Sequence, residues 1–179
     1  EELFLFTIGL RRLRQRRETV SVVPFQKVDM APFYDALPFT LTGAQRRCVE
    51  EAIADMASGA PMNRLCQGDV GSGKTMVAAA CVYFCVKNSR QAALMAPTEI
   101  LAQQHYHGLA PLLENLGIRC ALLTGSTSAK TKKSIAAQLE SGEIDFAIGT
   151  HALITGSVAY RDLGLVVTDE QHRFGVAQR

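Results

Sequence analysis

No hydrophobic run in this 179-residue sequence is long enough to cross a bilayer. The apolar stretch Phe4-Leu5-Phe6-Thr7-Ile8 is too short. Its flanks, acidic before and basic after, reverse the order of a secretory signal, so no targeting segment is expected. Paired cysteines are lacking too. The five cysteines, Cys48, Cys66, Cys81, Cys85 and Cys120, are odd in number and contain no C-x-x-C. Most sit in apolar runs, so they read as small buried hydrophobes in a reducing compartment, which implies a cytoplasmic protein. Cys81 and Cys85 share a helix face, but no His lies nearby to complete a zinc site. Charge of one sign is scarce: the net charge of +2 does not by itself point to nucleic acid. It is unevenly placed, however, with Arg11, Arg12, Arg14, Arg16 and Arg17 crowding the N-terminus, either as a solvated helix face or as a phosphate contact. Repeats and low-complexity tracts are absent. What remains is 47% hydrophobic and 20% charged, the composition of one globular domain with a real core.

Within that domain, Gly68-Asp69-Val70-Gly71-Ser72-Gly73-Lys74-Thr75 matches G-x-x-x-x-G-K-S/T, the phosphate-binding loop of P-loop NTPases. Gly71 and Gly73 allow positive φ and close approach of backbone to phosphate. Backbone N–H groups then form an anion nest, and a helix starting at about Gly73 adds the positive end of its dipole. Lys74 supplies a point charge to the β and γ phosphates, and the Thr75 hydroxyl is a Mg²⁺ ligand. The required setting is strand, loop, helix. Met62 to Gln67 reads as the strand, and Met76 to Val86 as a buried, Ala-rich helix.

Upstream, residues 1–17 have helical composition, with Leu3, Phe6, Leu10 and Leu13 on one stripe. Residues 18–38 hold Pro24, Pro32 and Pro38 and read as a connector, so residues 1–38 are set apart from a lobe over 39–179. Thr42 is the expected N-cap of a helix through about Met56, ended by Ser58-Gly59. Beyond the loop, strands (91–95, 119–123, 145–148, 163–168) alternate with helices (99–116, 129–139). That alternation predicts a mainly parallel sheet covered on both faces, with ligands at the carboxyl ends of the strands.

The apolar strand at 163–168 runs into Asp169-Glu170-Gln171-His172. A carboxylate at such a strand tip can hold Mg²⁺, the role given to Asp169. Its neighbour Glu170 can orient and deprotonate the attacking water. Read together, Gly68 to Thr75, Ala96-Pro97-Thr98-Glu99-Ile100-Leu101-Ala102, Gly149-Thr150-His151 and the Asp169-to-Val176 run DEQHRFGV closely resemble the RecG family of bacterial superfamily 2 DNA helicases, which remodel stalled forks and branched recombination intermediates. The likeness runs from about Leu37 to Arg179. Transcription–repair coupling translocases are the next nearest. Ser72 and Gln171 separate the two, since Tyr and Glu stand there in the translocases.

That resemblance implies a RecA-like three-layer α/β/α lobe using ATP and Mg²⁺. It implies that Gln45, in Phe39-Thr40-Leu41-Thr42-Gly43-Ala44-Gln45, reads adenine through a bidentate pair. Phe39 either stacks on the base or packs in the core. Pro97 and Thr98, Thr124 and Gly125, and Gly149, Thr150 and His151 fall at motifs that contact one DNA strand. Gln171 and His172 would couple nucleotide to DNA. His105 and His107 match no motif and read as helix-surface positions. Residues 1–17 look like the helix that joins the wedge domain to the motor. The second lobe with its arginine finger, and the wedge domain, are expected as partners from a longer chain. On that expectation the 179 residues hold half an ATP site and are nearly inactive alone. A regulatory NTP-binding module is the alternative from a different class.

Overall fold

The computed structural model describes residues 23–156 and 158–169. The helix expected over residues 1–17, its arginine cluster, and Glu170, Gln171 and His172 lie outside the described residues.

Four strands carry the fold: β1 (Gln91–Met95), β2 (Cys120–Leu123), β3 (Phe146–Gly149) and β4 (Leu163–Thr168). They lie in the order β2-β3-β1-β4, and every pairing is parallel. Ala92 stands opposite Phe146 on one side and Leu165 on the other. Parallel neighbours need long crossovers. α4 (Glu99–Asn115) carries the chain from β1 to β2, and α5 (Ala129–Ser141) from β2 to β3. β1 and β3 are buried along their whole length, as expected of apolar strands covered on both faces.

The side-chain period of two sorts the core into two clusters. Ala92, Leu94, Phe146, Ile148 and Leu165 face one way, onto α3 (Lys74–Lys87), Leu109 and Leu113 of α4, and Val49, Ala52 and Met56 of α2 (Gly43–Met56). Ala121, Leu123 and Ala147 face the other way, onto Ile135 and Leu139 of α5 and Ala152 and Leu153 of a 3₁₀ turn (His151–Ile154). This is a three-layer α/β/α lobe. α3 is apolar almost all round because it lies in the middle of the larger cluster.

Helix starts follow local chemistry. Thr42 caps α2 with a full capping box: its Oγ1 accepts from Gln45 N at 3.3 Å, and Gln45 Oε1 accepts from Thr42 N at 2.8 Å. The proline-bearing connector also contributes to the core. A short helix, α1 (Ala31–Asp35), has Pro32 in its first turn and buries Phe33 completely, its ring 5.6 Å from that of Tyr83. Phe25 stacks on Phe84 at 5.8 Å.

One expected element is not formed. Residues 61–69 are irregular, and no strand at 62–67 joins the sheet, so among the described residues β4 lies at the edge. Side chains of this segment instead reach α2. Arg64 pairs with Glu51 at 2.6 Å and Asp55 at 2.7 Å, and Cys66 Sγ lies 3.6 Å from Cys48 Sγ. These contacts tie the segment to α2, and Leu65 and Val166 are both exposed.

Candidate functional site

Gly71 (φ +80°) and Gly73 (φ +77°) both adopt the left-handed conformation, the backbone expected of a phosphate-binding loop. Gly73 is also the N-cap of α3, so the loop opens onto a helix N-terminus. The loop carries its own cation. Lys74 Nζ donates to the carbonyls of Gly68 at 2.6 Å and Asp69 at 2.8 Å. Ser72 N closes the turn on Asp69 O at 3.1 Å. Gly68, Asp69, Val70, Gly71 and Ser72 are exposed, while Thr75 on the first turn of α3 is half-buried.

Gln45 is tied directly to this loop. Its Nε2 donates to Ser72 O at 2.8 Å, so one side chain both closes the α2 capping box and holds the loop backbone. The contact is close enough that a Cβ at Gly73 would run into the Gln45 amide. Sequence reasoning placed Gln45 near adenine and missed this second engagement, which depends on how α2 packs against α3. Phe39 is half exposed, at 49%, and is not a core residue. With Tyr34, Leu37, Pro38, Leu41 and Arg46 it lines an open cavity of about 380 Å³.

Asp169 sits at the carboxyl end of β4, its N–H donating to Met95 O at 3.0 Å. α3 packs on β1 and β4, so the same two strands carry the loop helix and the acidic tip. The histidine expected at the surface is found here instead. His105 Nε2 lies 2.7 Å from Asp169 Oδ2, with the imidazole only 15% exposed. His105 lies in the second turn of α4, but its partner stands at the end of β4, 64 residues later.

The strand-end candidates divide by burial. Thr98 is exposed, and its hydroxyl accepts from Leu101 N at 3.3 Å, capping α4; Pro97 beside it is half-buried. Gly125 and His151 are exposed. Thr124 is buried, its hydroxyl within reach of Ser126 Oγ at 3.1 Å and Thr127 Oγ1 at 3.3 Å, and its N–H donates to Thr127 Oγ1 at 3.0 Å. Both its polar groups are therefore occupied within the loop. Gly149 is buried because β3 closes on β2 there: a Cβ would collide with the Leu123 carbonyl. Thr150 is buried as well, with a hydroxyl that finds no partner among the described residues.

Glu99 was not singled out from sequence, yet it joins two of these loops. It accepts from Ser126 N at 2.9 Å and Ser126 Oγ at 2.6 Å, and those bonds hold its carboxyl below the usual range. Lys132 Nζ donates to Gly125 O at 2.7 Å from the next helix. No sequence signal marks the Glu99 tie, because it links positions 27 residues apart through loops at the same end of the sheet. Among the described residues, no three His, Cys, Asp or Glu side chains converge as a metal cage, and no helix is long and apolar enough to cross a membrane.

Helices on both faces of a parallel sheet, a left-handed glycine loop opening onto a helix N-terminus, and an acidic strand tip define a RecA-like P-loop lobe. More narrowly, the chain belongs to the DEAD/DEAH box helicase family, which residues 42–179 match. It is 48% identical to the ATP-dependent DNA helicase RecG of Bacillus subtilis (strain 168), over 100% of this chain and 27% of that protein. To the protein of the same name from Aquifex aeolicus (strain VF5) it is 45% identical, over 100% of this chain and 23% of the relative. Among solved structures, that of RecG bound to a three-way DNA junction superposes with a TM-score of 0.85 at 44% identity, covering 97% of this chain and 24% of the other. The chain thus spans about a quarter of the length of the relatives it matches.

Proposed function

We propose that this chain is the first, ATP-binding motor lobe of a DNA helicase that remodels branched DNA, such as stalled forks and recombination intermediates, in the bacterial cytoplasm. The carrying observation is the loop at residues 68–75: two left-handed glycines, a lysine drawn into the loop, and a helix N-terminus behind them. Whole-chain identity to relatives named RecG supports DNA as the track, and branched DNA as its form.

The donor set suits Mg²⁺. The Thr75 hydroxyl and the Asp169 carboxylate are hard oxygen ligands, of the kind that ion takes together with substrate phosphates. A Mg²⁺ ion held there by Thr75 and Asp169 would supply positive charge to offset the charge developing on the transferred phosphoryl group. Lys74 exchanges its loop carbonyls for phosphate oxygens, and backbone N–H groups of residues 69–73 line the anion. Glu170 orients the attacking water and takes its proton. Gln45 and Phe39 hold the adenine. Exposed Thr98, Gly125 and His151 meet the DNA backbone, while Thr124, Gly149 and Thr150 act as the packed frame of that edge. Gln171 and His172 couple the two sites. A second lobe supplies an arginine finger, worth roughly 10³–10⁵ in rate, and a wedge domain completes DNA recognition. The isolated 179-residue chain should therefore bind Mg-ATP weakly and show no DNA-stimulated turnover.

The test belongs in the full-length protein. Lys74→Ala should abolish ATP binding or turnover. Glu170→Gln should bind ATP and hydrolyse it very slowly. Unchanged hydrolysis in Lys74→Ala would overturn the assignment of the loop.

A further inference from the structure

His105 is unassigned by any motif, yet it makes a short contact to the carboxylate expected to carry the metal. A carboxylate only accepts, so the imidazole Nε2 carries the proton and donates to Asp169 Oδ2 across 2.7 Å. The ring is held in place: it is 15% exposed, on a helix whose Leu109 and Leu113 lie in the core and whose first turn is capped by Thr98. The strand tip it meets is held by the bond from Asp169 N to Met95 O. Among the described residues, Asp169 Oδ1 has no protein partner. One oxygen is thus occupied and oriented from the α4 side, and the other is left for a cation.

We propose that His105 is a positioning residue for the Mg²⁺ site, fixing the Asp169 carboxylate through Oδ2 and leaving Oδ1 available to a cation. This rests on the reading of Asp169 as a metal ligand. The physical logic is that of other metal centres, in which a ligating carboxylate is itself hydrogen-bonded and the outer partner sets its orientation. A carboxylate without that partner is free to rotate about χ2, and the ion must order it on binding. Loss of such an outer partner typically lowers metal affinity about 10–100-fold. The same helix starts at Thr98, so one rigid element reaches from the DNA-facing loop to the metal carboxylate.

The experiment measures binding of a fluorescent ATP analogue to the full-length protein as Mg²⁺ is raised, alongside ATPase kcat and KM. Wild type, Lys74→Ala, His105→Ala, His105→Gln and His105→Asn are compared. Gln places an N–H donor near the position of the imidazole Nε2; Asn places one near Nδ1. The expected result is an Mg²⁺ midpoint raised about tenfold in His105→Ala and His105→Asn, near wild type in His105→Gln, with metal-free analogue binding unchanged in all three. Should His105→Ala fail to fold, the Gln and Asn pair still decides. Equal Mg²⁺ midpoints for Gln and Asn, whether both normal or both weak, would overturn the positioning role. A wild type that binds no nucleotide would instead overturn the ATP-site reading itself. A normal wild type, an inert Lys74→Ala and an unaffected His105→Ala would remove this inference alone.

Discussion

Gln45→Ala separates two jobs that the structure assigns to one amide. A glutamine amide offers two N–H donors and two acceptor lone pairs. Oε1 uses one lone pair on Thr42 N, and Nε2 uses one N–H on Ser72 O, each at 2.8 Å. One donor and one acceptor remain, the complement of adenine N7 and N6–H. Guanine presents O6 where adenine presents N6–H, so the remaining lone pair would meet another acceptor. A good bidentate pair contributes about 1–3 kcal/mol of discrimination, or roughly 5–150-fold in favour of ATP over GTP. Removing the side chain erases that preference. It also releases Ser72 O and half of the capping box, which costs about 1 kcal/mol for each hydrogen bond and loosens the loop for any nucleotide. The assay is displacement of a fluorescent ATP analogue from the full-length protein by ATP and by GTP. Gln45→Ala should weaken GTP about tenfold through the loosened loop, and ATP by that factor multiplied by the lost preference, so that the ATP-to-GTP ratio falls near one. Equal use of both nucleotides by the wild type, or a preference that survives in Gln45→Ala, would refute the adenine role; unweakened GTP binding in the variant would refute the loop's dependence on Gln45.

Gly73→Ala should lower nucleotide affinity by about tenfold or more, because a left-handed φ costs a non-glycine residue roughly 1–2 kcal/mol and the new methyl displaces the Gln45 amide; equilibrium binding reads this out. Away from the site, buried Gln91 donates to Leu139 O at 2.8 Å and Ile144 O at 2.7 Å and accepts from Asp162 N at 3.1 Å. Gln91→Leu should cost about 3 kcal/mol in urea unfolding, and a loss below about 1 kcal/mol would show that these bonds are replaced by water. Burial pushes the thiols of Cys81, Cys85 and Cys120 up from 9.0 to about 12, and the Tyr160 hydroxyl from 10.0 to about 12. Raised folded-state values favour the neutral form, so this stability is fully present below pH 9 and is lost as the pH climbs from 9 towards 12. The urea midpoint should be flat from pH 7 to 9 and fall above it. Cys81 and Cys85 should resist thiol reagents at neutral pH while exposed Cys66 reacts.

Much of this lobe is legible in one dimension. The strands at 91–95 and 163–168 match their expected bounds, and Thr42 caps its helix, because apolar runs and caps are local properties that neighbours in sequence decide. Gly71 and Gly73 take the left-handed backbone because no other residue does so cheaply, and that requirement is written into the loop motif itself. Tertiary structure decided the rest. Residues 62–67 have the composition of a strand, but β preference is set by context, and here the segment's Arg64 meets two carboxylates on α2 instead of the segment joining the sheet. Phe33 reads as part of a connector and becomes fully buried once Tyr83 is folded against it. His105 reads as a surface position until β4 brings Asp169 to 2.7 Å, and Glu99 gains its role only when Ser126 arrives from the end of β2, on the far side of β3. Local pattern determines which element a residue joins. Which side chain it meets depends on parallel strands bringing distant loops to one edge, and no spacing in the sequence encodes that distance.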